Sequence, residues 1–363
     1  MKFTVTRTDF LQALQTVLPA IASRSALPVL SNGLLESHGQ TLTLTGSDMK
    51  LTIRASVPAV VAEEGATTLD AKRLLPIVRE MPGAEIEITS DERHSATLVS
   101  DAVRFRLNGI SAEDFPVAPK LEGAVSCTLD RRALRGMLQR TVYATSKDLS
   151  REVLSGVLIE ISESRVTAVA TDGRRLAMVE QEVEGGRHEA SVLVPARTAS
   201  EMINILEGDG NVVLMAVGKQ MAVDCGNVML FSSQVEGKFP NYRQVVPKRT
   251  GTRVTLSREG FLNALRRVSL VTSETSNSVQ LRFSEGQMEV FCESADVGEA
   301  REVVPVKYSG PAISIPFNPD FLMDPLKTLV SDEVYFEISD VDTPGVLKAD
   351  EAFLYVIMPL RVV

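Results

Sequence analysis

The sequence predicts an α+β fold made of three tandem copies of one unit. Two observations predict it: a repeat of about 125 residues, and two amphipathic helices set among short strands in every copy. The copies start with TVTRTDFLQAL at Thr4, TLDRRALRGML at Thr128 and TLSREGFLNAL at Thr255. In each, an alternating stretch runs into Thr, Asp or Ser and then into apolar residues at intervals of three and four. This pattern indicates a strand followed by an N-capped amphipathic helix.

The agreement between the copies continues downstream. LSNGLLES, LSGVLIEI and VQLRFSEG read as strands, and TLTLTGSDMKLTI, RVTAVATDGRRLAM and QMEVFCESADVGEAR read as paired runs joined by a turn. A strand and a second helix follow, in TTLDAKRLLPIVREM, VLVPARTASEMINIL and ISIPFNPDFLMDPLKTL, and further strands close each copy. The predicted helix windows are 7–21, 70–81, 130–142, 196–207, 257–272 and 318–330. Each unit is therefore β-α-β-β-β-α with additional strands, and its helices pack on one face of an antiparallel sheet.

Two proline-rich linkers divide the copies. Phe115-Pro116 is followed by Pro119-Lys120, and Phe239-Pro240 by Pro247-Lys248. The expected domains are 1–120, 125–248 and 252–363. Domains in series leave unpaired strands at both ends, and head-to-tail pairing with a second copy would cover them. Phe105 and Leu107 alternate along a candidate edge strand, and Leu270-Val271 end an apolar helix face; they are either contacts across such a seam or ordinary core positions.

Composition excludes several classes of protein. The N-terminus MKFTVTRTDF has no apolar signal region and no run of about 18 apolar residues occurs, so we expect a cytoplasmic chain with no membrane association. Cys127, Cys225 and Cys292 are scattered, which suits a reducing compartment without disulfides. His38, His94 and His188 are equally isolated, so we expect no metal site and no cofactor.

The distribution of charge is more informative than its total. The chain carries a net charge of −9, which argues against a nucleic-acid partner because phosphate binding depends on Lys and Arg. However, the six helix windows taken together are net positive, whereas strand segments such as EIEITSDE and EVYFEISD are acidic. A basic helical face would bind a polyanion loosely and in a salt-dependent way. The alternative is that the helices carry ordinary solvated charge.

Four separated motifs resemble the bacterial β sliding clamps, the processivity subunits of DNA polymerase III. They are MKFTVTRTDFLQALQ with LPVLSNGLL, then VATDGRRLA, FPNYRQVVPK and the terminal YVIMPLR, so the likeness covers the whole chain in order. The resemblance implies a head-to-tail homodimeric ring, with helices lining a central hole and antiparallel sheets outside. Such a ring encircles double-stranded DNA without sequence preference and tethers the polymerase, which raises its effective concentration at the primer end. The implied partners are the polymerase III alpha subunit, the clamp-loader delta subunit, and other polymerases and repair proteins.

The resemblance also implies a groove that binds short linear motifs of these partners beside the hairpin Val166–Met178, whose turn we expect to be the two residues Asp172-Gly173. Apolar walls would hold a Leu or Phe anchor, and arginines a polar or acidic flank. Only the second copy has paired arginines after its turn, where the others have Met49-Lys50 and Gly298-Glu299, so one groove per chain is expected. The implied groove residues are Arg151, Val153, Leu154, Thr171, Gly173, Arg174, Arg175, Leu176, Pro240, Val245, Asn318, Phe321, Val356, Met358, Pro359, Leu360 and Arg361.

The chain departs from the family pattern at Val153 and Arg174, where an aromatic residue and a histidine are common, and one valine follows the usual terminus. The residues expected to face DNA are Arg24, Lys72, Arg73, Arg131, Arg132, Arg135, Arg197 and Arg266. For the dimer seam the resemblance implies Phe105, Leu107, Leu270 and Val271.

Three other functions compete with a replication clamp. An enzyme is disfavoured because GxxxxGK[ST], GxGxxG, HExxH, GxSxG and EF-hand spacings are absent, and Asp172 has no nearby His or Lys in sequence. A clamp paralogue repurposed for resistance to clamp-binding compounds would have the same motifs. A purely structural repeat scaffold would not retain DNA.

Overall fold

The computed structural model describes residues 1–22, 25–119, 121–148, 150–183, 189–247, 251–273 and 277–360. Each of the three copies follows the same order of elements, with one additional strand in the first. The first copy comprises β1 Lys2–Thr6, α1 Arg7–Val17, β2 Asn32–His38, β3 Thr41–Ser47, β4 Leu51–Pro58, β5 Val60–Glu63, β6 Gly65–Asp70, α2 Ala71–Glu80, β7 Glu85–Ser90, β8 Ala96–Ser100 and β9 Val103–Leu107.

The second copy comprises β10 Val125–Asp130, α3 Arg131–Gln139, β11 Gly156–Ile161, β12 Arg165–Thr171, β13 Arg175–Glu182, β14 Ala190–Pro195, α4 Ala196–Ile205, β15 Asn211–Val217, β16 Gln220–Asp224 and β17 Val228–Ser233. The third comprises β18 Thr252–Ser257, α5 Arg258–Val268, β19 Val279–Ser284, β20 Gln287–Ser294, β21 Gly298–Pro305, β22 Ile313–Phe317, α6 Pro319–Thr328, β23 Glu333–Ile338, β24 Gly345–Lys348 and β25 Phe353–Ile357. All six helices lie within the predicted windows.

Helix starts follow from short polar side chains, as the sequence predicts. In four helices the side chain just before the helix accepts a hydrogen bond from the backbone N–H three residues ahead. These pairs are Thr6 with Asp9, Asp70 with Arg73, Asp130 with Ala133 and Ser257 with Gly260. The Asn318 side chain accepts from two N–H groups at the start of α6. Each cap satisfies a donor that has no partner within the helix.

Contacts divide the chain into two units. The first unit, Met1–Leu134 with Glu201–Gln234, contains a five-stranded sheet in the order β5-β1-β7-β8-β9 and an eight-stranded sheet in the order β10-β15-β16-β17-β4-β3-β2-β6. Helices α1 and α2 pack together, and α1 buries Phe10, Leu14 and Val17. The eight-stranded sheet joins the first two copies, because β17 pairs with β4 along Leu230↔Ile53.

The second unit, Arg135–Ser200 with Val235–Val363, repeats this arrangement. Its eight-stranded sheet has the order β14-β11-β12-β13-β25-β24-β23-β18, and its four-stranded sheet has the order β21-β20-β19-β22. Helix α5 packs on α6 and buries Phe261, Leu262 and Leu265. Here β13 of the second copy pairs with β25 of the third along Leu176↔Val356. All sheet pairings are antiparallel, as predicted, but the sharing of a sheet between copies goes beyond the prediction of one sheet per copy.

Candidate functional site

The turn between β12 and β13 differs from the expected two-residue turn. The last pair between β12 and β13 is Thr171↔Leu176, so four residues, 172–175, lie between these paired residues, and β13 begins at the last of them, Arg175. Of the four, Gly173 has a positive φ, +86°. The Asp172 carboxylate accepts from the backbone N–H groups of Arg174 and Arg175 at 2.9 and 3.1 Å. An aspartate that bonds the backbone two and three residues ahead stabilises this wider turn in place of a two-residue turn with two positive φ angles.

Arg175 is the most constrained residue at this turn. Its Nε donates to Asp172 Oδ2 at 3.0 Å, Nη1 to Asp324 Oδ2 at 2.7 Å, and Nη2 to the carbonyl of Tyr143 at 2.6 Å. Its guanidinium carbon lies 4.2 Å from the ring centroid of Phe321, and only 7% of the side chain is exposed. Such stacking and charged hydrogen bonds favour a fixed guanidinium.

This environment keeps Arg175 charged. Burial opposes the charge, but the oxygens of Tyr355, Asp324 and Asp172 outweigh it and raise the pKa of Arg175 above its ordinary value. The guanidinium is thus hydrogen-bonded to groups of its own chain. Three of its five N–H donors have partners in its own chain, and the expectation that Arg175 helps to hold a peptide's acidic flank stays a prediction. Arg151 and Arg174, both exposed, are the arginines that face solvent here.

An apolar cluster lies beside the turn. It consists of Leu158, Val169, Leu176, Leu193, Tyr242 and Val356, with Met178, Val235, Phe239 and Leu354 packed against it. Leu176 and Val356 were expected here, whereas Leu158 and Tyr242 were missed. Tyr242 lies in the quoted FPNYRQVVPK motif, and its hydroxyl donates to Glu160 at 2.7 Å. Burial, with the carboxylate of Glu160, raises the pKa of Tyr242, so the hydroxyl remains protonated.

Exposed apolar side chains border this cluster. Val245 is 54% exposed and Met358 is 43% exposed. Pro240 is exposed, and Pro359 and Leu360 are half-buried. The backbone N–H of Leu360 donates to the carbonyl of Pro316 at 2.8 Å, which fixes the chain after β25. A buried apolar cluster thus has exposed, adaptable apolar side chains close to it in sequence, a combination suited to a Leu or Phe anchor.

A polar cleft of about 530 Å³ adjoins the turn. The predicted residues Arg151, Arg174, Arg175 and Phe321 line it, together with residues that sequence reasoning missed: Thr145, Ser146, Lys147, Asp148, Asp172, Asp320 and Asp324. A usable signal existed for Asp324, since it stands three residues after Phe321 and so shares its face of α6.

The other expected groove residues lie near these features in the second unit. Leu154 is buried, and its carbonyl accepts from the N–H of Ser146 at 2.8 Å. Val153 is half-buried against Gly237, whose φ is +116° and where any Cβ would collide with Val153. Thr171 donates to the carbonyl of Arg175 at 2.6 Å. Arg361 lies outside the described residues.

The residues expected to face DNA are distributed over both units. In the first unit Lys72, Arg73 and Arg132 are exposed on α2 and α3, whereas the guanidinium of Arg131 donates to the backbone carbonyls of Asn211 and Cys225 and is anchored. In the second unit Arg135 is half-buried on α3, and Arg197 and Arg266 are exposed on α4 and α5. Arg24 lies outside the described residues.

The four expected seam residues lie at the ends of their sheets and helices. Phe105 is 38% exposed on β9, which pairs with β8 alone among the described strands, and Leu107 is half-buried there. In the second unit Leu270 and Val271 belong to a short 3-10 turn, Ser269–Val271, that follows α5, and Leu270 is 78% exposed. Neither pair is in a core, which favours contacts across a dimer seam over ordinary core positions.

The three cysteines are free and buried. Within the described ranges no group of three His, Cys, Asp or Glu side chains could hold a metal ion. Over the same residues no helix is both long and apolar enough to cross a membrane.

Three family models together match nearly the whole chain. They describe the N-terminal, central and C-terminal domains of the DNA polymerase III beta subunit and match residues 1–119, 128–241 and 243–361. A "Beta sliding clamp" of Chlamydia muridarum is 33% identical over 99% of both chains, and one of Pseudomonas putida is 32% identical over 99% of this chain and 100% of its own.

Solved structures agree with these matches. The sliding clamp of Bacillus subtilis superposes with a TM-score of 0.95 at 25% identity and 100% coverage of both chains. A sliding clamp from Pseudomonas aeruginosa, bound to griselimycin, gives a TM-score of 0.95 at 30% identity with the same coverage. The fold is thus the three-domain clamp fold. The chain belongs to the DNA polymerase III beta subunit family, the β sliding clamps.

Proposed function

We propose that this chain is a replication clamp that pairs head-to-tail with a second copy, encircles duplex DNA and tethers the replicative polymerase. The observation that carries the proposal is that all three clamp domains are matched in order over the full length of named sliding clamps. The domain limits 1–120, 125–248 and 252–363 are part of the proposal. A ring acts by enclosure, so weak sliding contacts suffice to keep a tethered enzyme at the DNA.

Exposed strand edges support the dimer. Strand β9 ends one sheet and presents Phe105, and β21 ends another and presents Glu299 and Val303. An exposed edge strand is a template for pairing with another chain, and in a head-to-tail ring each edge is covered by its partner. Leu270, which is 78% exposed, would gain apolar burial at the same seam, together with Leu107 and Val271.

Exposed cations on the helices support sequence-independent binding of DNA. Lys72, Arg73 and Arg132 in the first unit, and Arg197 and Arg266 in the second, project from helices rather than from strands. Their contacts with phosphates would release counterions, so retention on DNA should weaken as salt increases. Arg24, Arg131 and Arg135 belong to the same proposed surface.

The groove beside β13 and β25 would bind short motifs of the polymerase III alpha subunit, the clamp-loader delta subunit, and other polymerases and repair proteins. An apolar anchor would lie over Leu176 and Val356 and between Val245 and Met358. The griselimycin bound to the Pseudomonas clamp suggests the same compound as a probe of this groove.

The proposed role is non-catalytic and cytoplasmic, and it requires no cofactor. The Asp172 carboxylate supports this, because it is occupied by Arg175 and by the turn backbone rather than held near a proton-transfer partner. The relatives reported above are named beta sliding clamp, which supports the replication role over the resistance role.

Topological capture tests the proposal. The protein would be loaded onto a nicked circular plasmid by the clamp loader of its own organism and isolated by gel filtration, and the plasmid would then be linearised with a single-cutting nuclease. We expect loss of the protein only after cutting, with uncut and mock-digested circles as controls. Equal loss from circular and linear DNA would refute encirclement.

Failure to restore processive synthesis with the polymerase and loader of the same organism, despite encirclement, would refute the replication role. It would favour the resistance paralogue instead.

A further inference from the structure

Asp324 lies in α6, three residues after Phe321 and outside the set of residues expected to form the groove. Its Oδ2 accepts from Arg175 Nη1 at 2.7 Å, and its Oδ1 accepts from Lys327 Nζ at 3.2 Å. Its carboxylate lines the polar cleft, whereas the apolar cluster that would take a peptide anchor contains no residue of α6. Asp324 is therefore placed to act through Arg175 rather than on the anchor.

Arg175 connects the second copy to the third. Its two carboxylate partners belong to different copies, with Asp172 in the turn of the second and Asp324 in the helix of the third. Its guanidinium also stacks on Phe321, while the hydroxyl of Tyr355 donates to the carbonyl of Phe321 at 2.7 Å. One buried cation thus fixes both the turn and the ring of Phe321.

The same residue is tied by its backbone to the groove. Arg175 pairs with Ile357 in β25, next to Leu176↔Val356, and the carbonyl of Arg174 accepts from the N–H of Met358 at 2.9 Å. A shift of the Arg175 side chain would move the turn from which these strands extend. Without Asp324, the buried guanidinium would lose one of its two carboxylate partners, and a buried charge that loses a partner is strongly destabilising where it lies.

We propose that Asp324 is a positioning residue of the peptide-binding groove, which sets affinity by holding Arg175 and, through it, Phe321. This inference rests on the proposed function, because it concerns the same groove. It predicts that Asp324 affects ligand affinity although the residue lies outside the apolar cluster on which an anchor would bind.

Fluorescence anisotropy with the full-length protein tests the inference. The probes are a fluorescein-labelled peptide with adjacent Leu and Phe anchors, and unlabelled griselimycin as competitor. We expect Asp324→Ala and Asp324→Asn to raise the Kd of the peptide at least about tenfold, chiefly through faster dissociation. Asp324→Glu, which restores the carboxylate, should recover most of the affinity. Asp320→Ala is the matched control, because Asp320 lies on the same helix and in the same cleft without contacting Arg175 among the described contacts.

A double-mutant cycle separates positioning from general destabilisation. If Asp324 acts by placing Phe321, Asp324→Asn should change the Kd by less than about twofold in a Phe321→Ala background, whereas independent effects would multiply. Melting temperature and sedimentation of each variant establish that it is folded; Asp324→Asn keeps the shape of the side chain and serves if Asp324→Ala does not fold.

The outcomes distinguish this inference from the proposed function. Wild-type affinity in both Asp324→Ala and Asp324→Asn, or equal losses with and without Phe321, would overturn the positioning role and leave the groove intact. Failure of the wild-type protein to bind either probe would overturn the groove itself, and the positioning role with it.

Discussion

The backbone N–H of Met358 donates to the carbonyl of Arg174 across 2.9 Å, so the end of the third copy is bonded to the turn of the second. Both residues lie in one unit, and the bond extends the ladder between β13 and β25 by one residue beyond Arg175↔Ile357. The C-terminal segment is thus an integral wall of the proposed groove. Its removal should affect ligand binding directly.

Deletion of residues 358–363 should abolish peptide binding and leave the dimer intact. The deletion removes the side chain of Met358, which is 43% exposed beside the apolar cluster, and the Leu360 bond to Pro316, but no residue of the proposed seam. Anisotropy with the Leu-Phe peptide measures the first effect and sedimentation velocity the second. A shorter deletion of Val362 and Val363, which are not among the expected groove residues, is the control. Unchanged peptide affinity in the longer deletion would rule out this wall.

Much of the fold could be predicted because its signals are local. The caps at Thr6, Asp70 and Ser257 and the apolar spacing of each helix are patterns of nearby residues. The six helices, and the order of helices and strands along the chain, could therefore be predicted. The pairings Leu230↔Ile53 and Leu176↔Val356 join strands from different copies. No short-range pattern specifies a partner more than a hundred residues away, which is why the shared sheets were not predicted.

In the candidate site, too, some residues could be predicted from the sequence and others depend on distant partners. Leu176 and Val356 were expected from motif likeness, whereas the burial of Arg175 was not predicted. In sequence Arg174 and Arg175 look equivalent, but Arg174 lies in the turn and is exposed, whereas Arg175 begins β13 and is buried. Asp324 and the carbonyl of Tyr143 accept hydrogen bonds from the buried guanidinium. Burial of an arginine depends on such distant partners, and the sequence around it does not show them.

Substitution of both Leu270→Ala and Val271→Ala should weaken the dimer. Leu270 is 78% exposed in the single chain, and its burial at the seam would be lost on truncation. Truncation of a packed Leu costs about 2–5 kcal/mol, so the dimer Kd should rise by at least about 30-fold. Sedimentation equilibrium measures this constant. Val330→Ala, at a valine that is 94% exposed elsewhere, is the control, and an undiminished dimer in the double variant would contradict the seam.

Charge reversal on the helices should shorten retention on DNA. Lys72 and Arg266 are exposed on α2 and α5, so Lys72→Glu with Arg266→Glu should remove favourable phosphate contacts without disturbing a core. Arg131 is a poorer choice, because its guanidinium is bonded to backbone carbonyls. We expect faster release from linear DNA. The slope of log K against log salt concentration should also become shallower, by roughly one for each lost phosphate contact.

The control for this reversal has the same change of net charge at other positions. Lys50→Glu with Lys238→Glu alters two exposed lysines that lie outside the helices. Both double variants would be followed by surface plasmon resonance on linear duplexes at several salt concentrations. Identical release from the two variants would mean that total charge, and not the helical surface, governs retention.

The bond between Arg267 and Glu302 should make α5 and the edge strand β21 sensitive to acid. The guanidinium donates twice to the carboxylate, at 2.7 and 2.5 Å, and this hydrogen bonding lowers the pKa of Glu302 from its ordinary value of 4.5. A carboxyl group whose pKa is lower in the folded state stabilises the fold above pH 4.5, and this contribution is lost as the pH falls through the folded-state pKa. Because the Arg267 side chain is largely exposed, solvent screening keeps this contribution small.

The measurement is the free energy of unfolding in urea, for the wild type and Glu302→Gln, between pH 7 and pH 3. We expect the wild type to be the more stable at neutral pH and the difference to shrink toward the acidic end, as the carboxyl group becomes protonated in the folded state as well. Glu299→Gln, on the same strand, is the matched control for the change of charge. A difference that persists unchanged at pH 3 would mean that Glu302 stabilises β21 by packing rather than by charge.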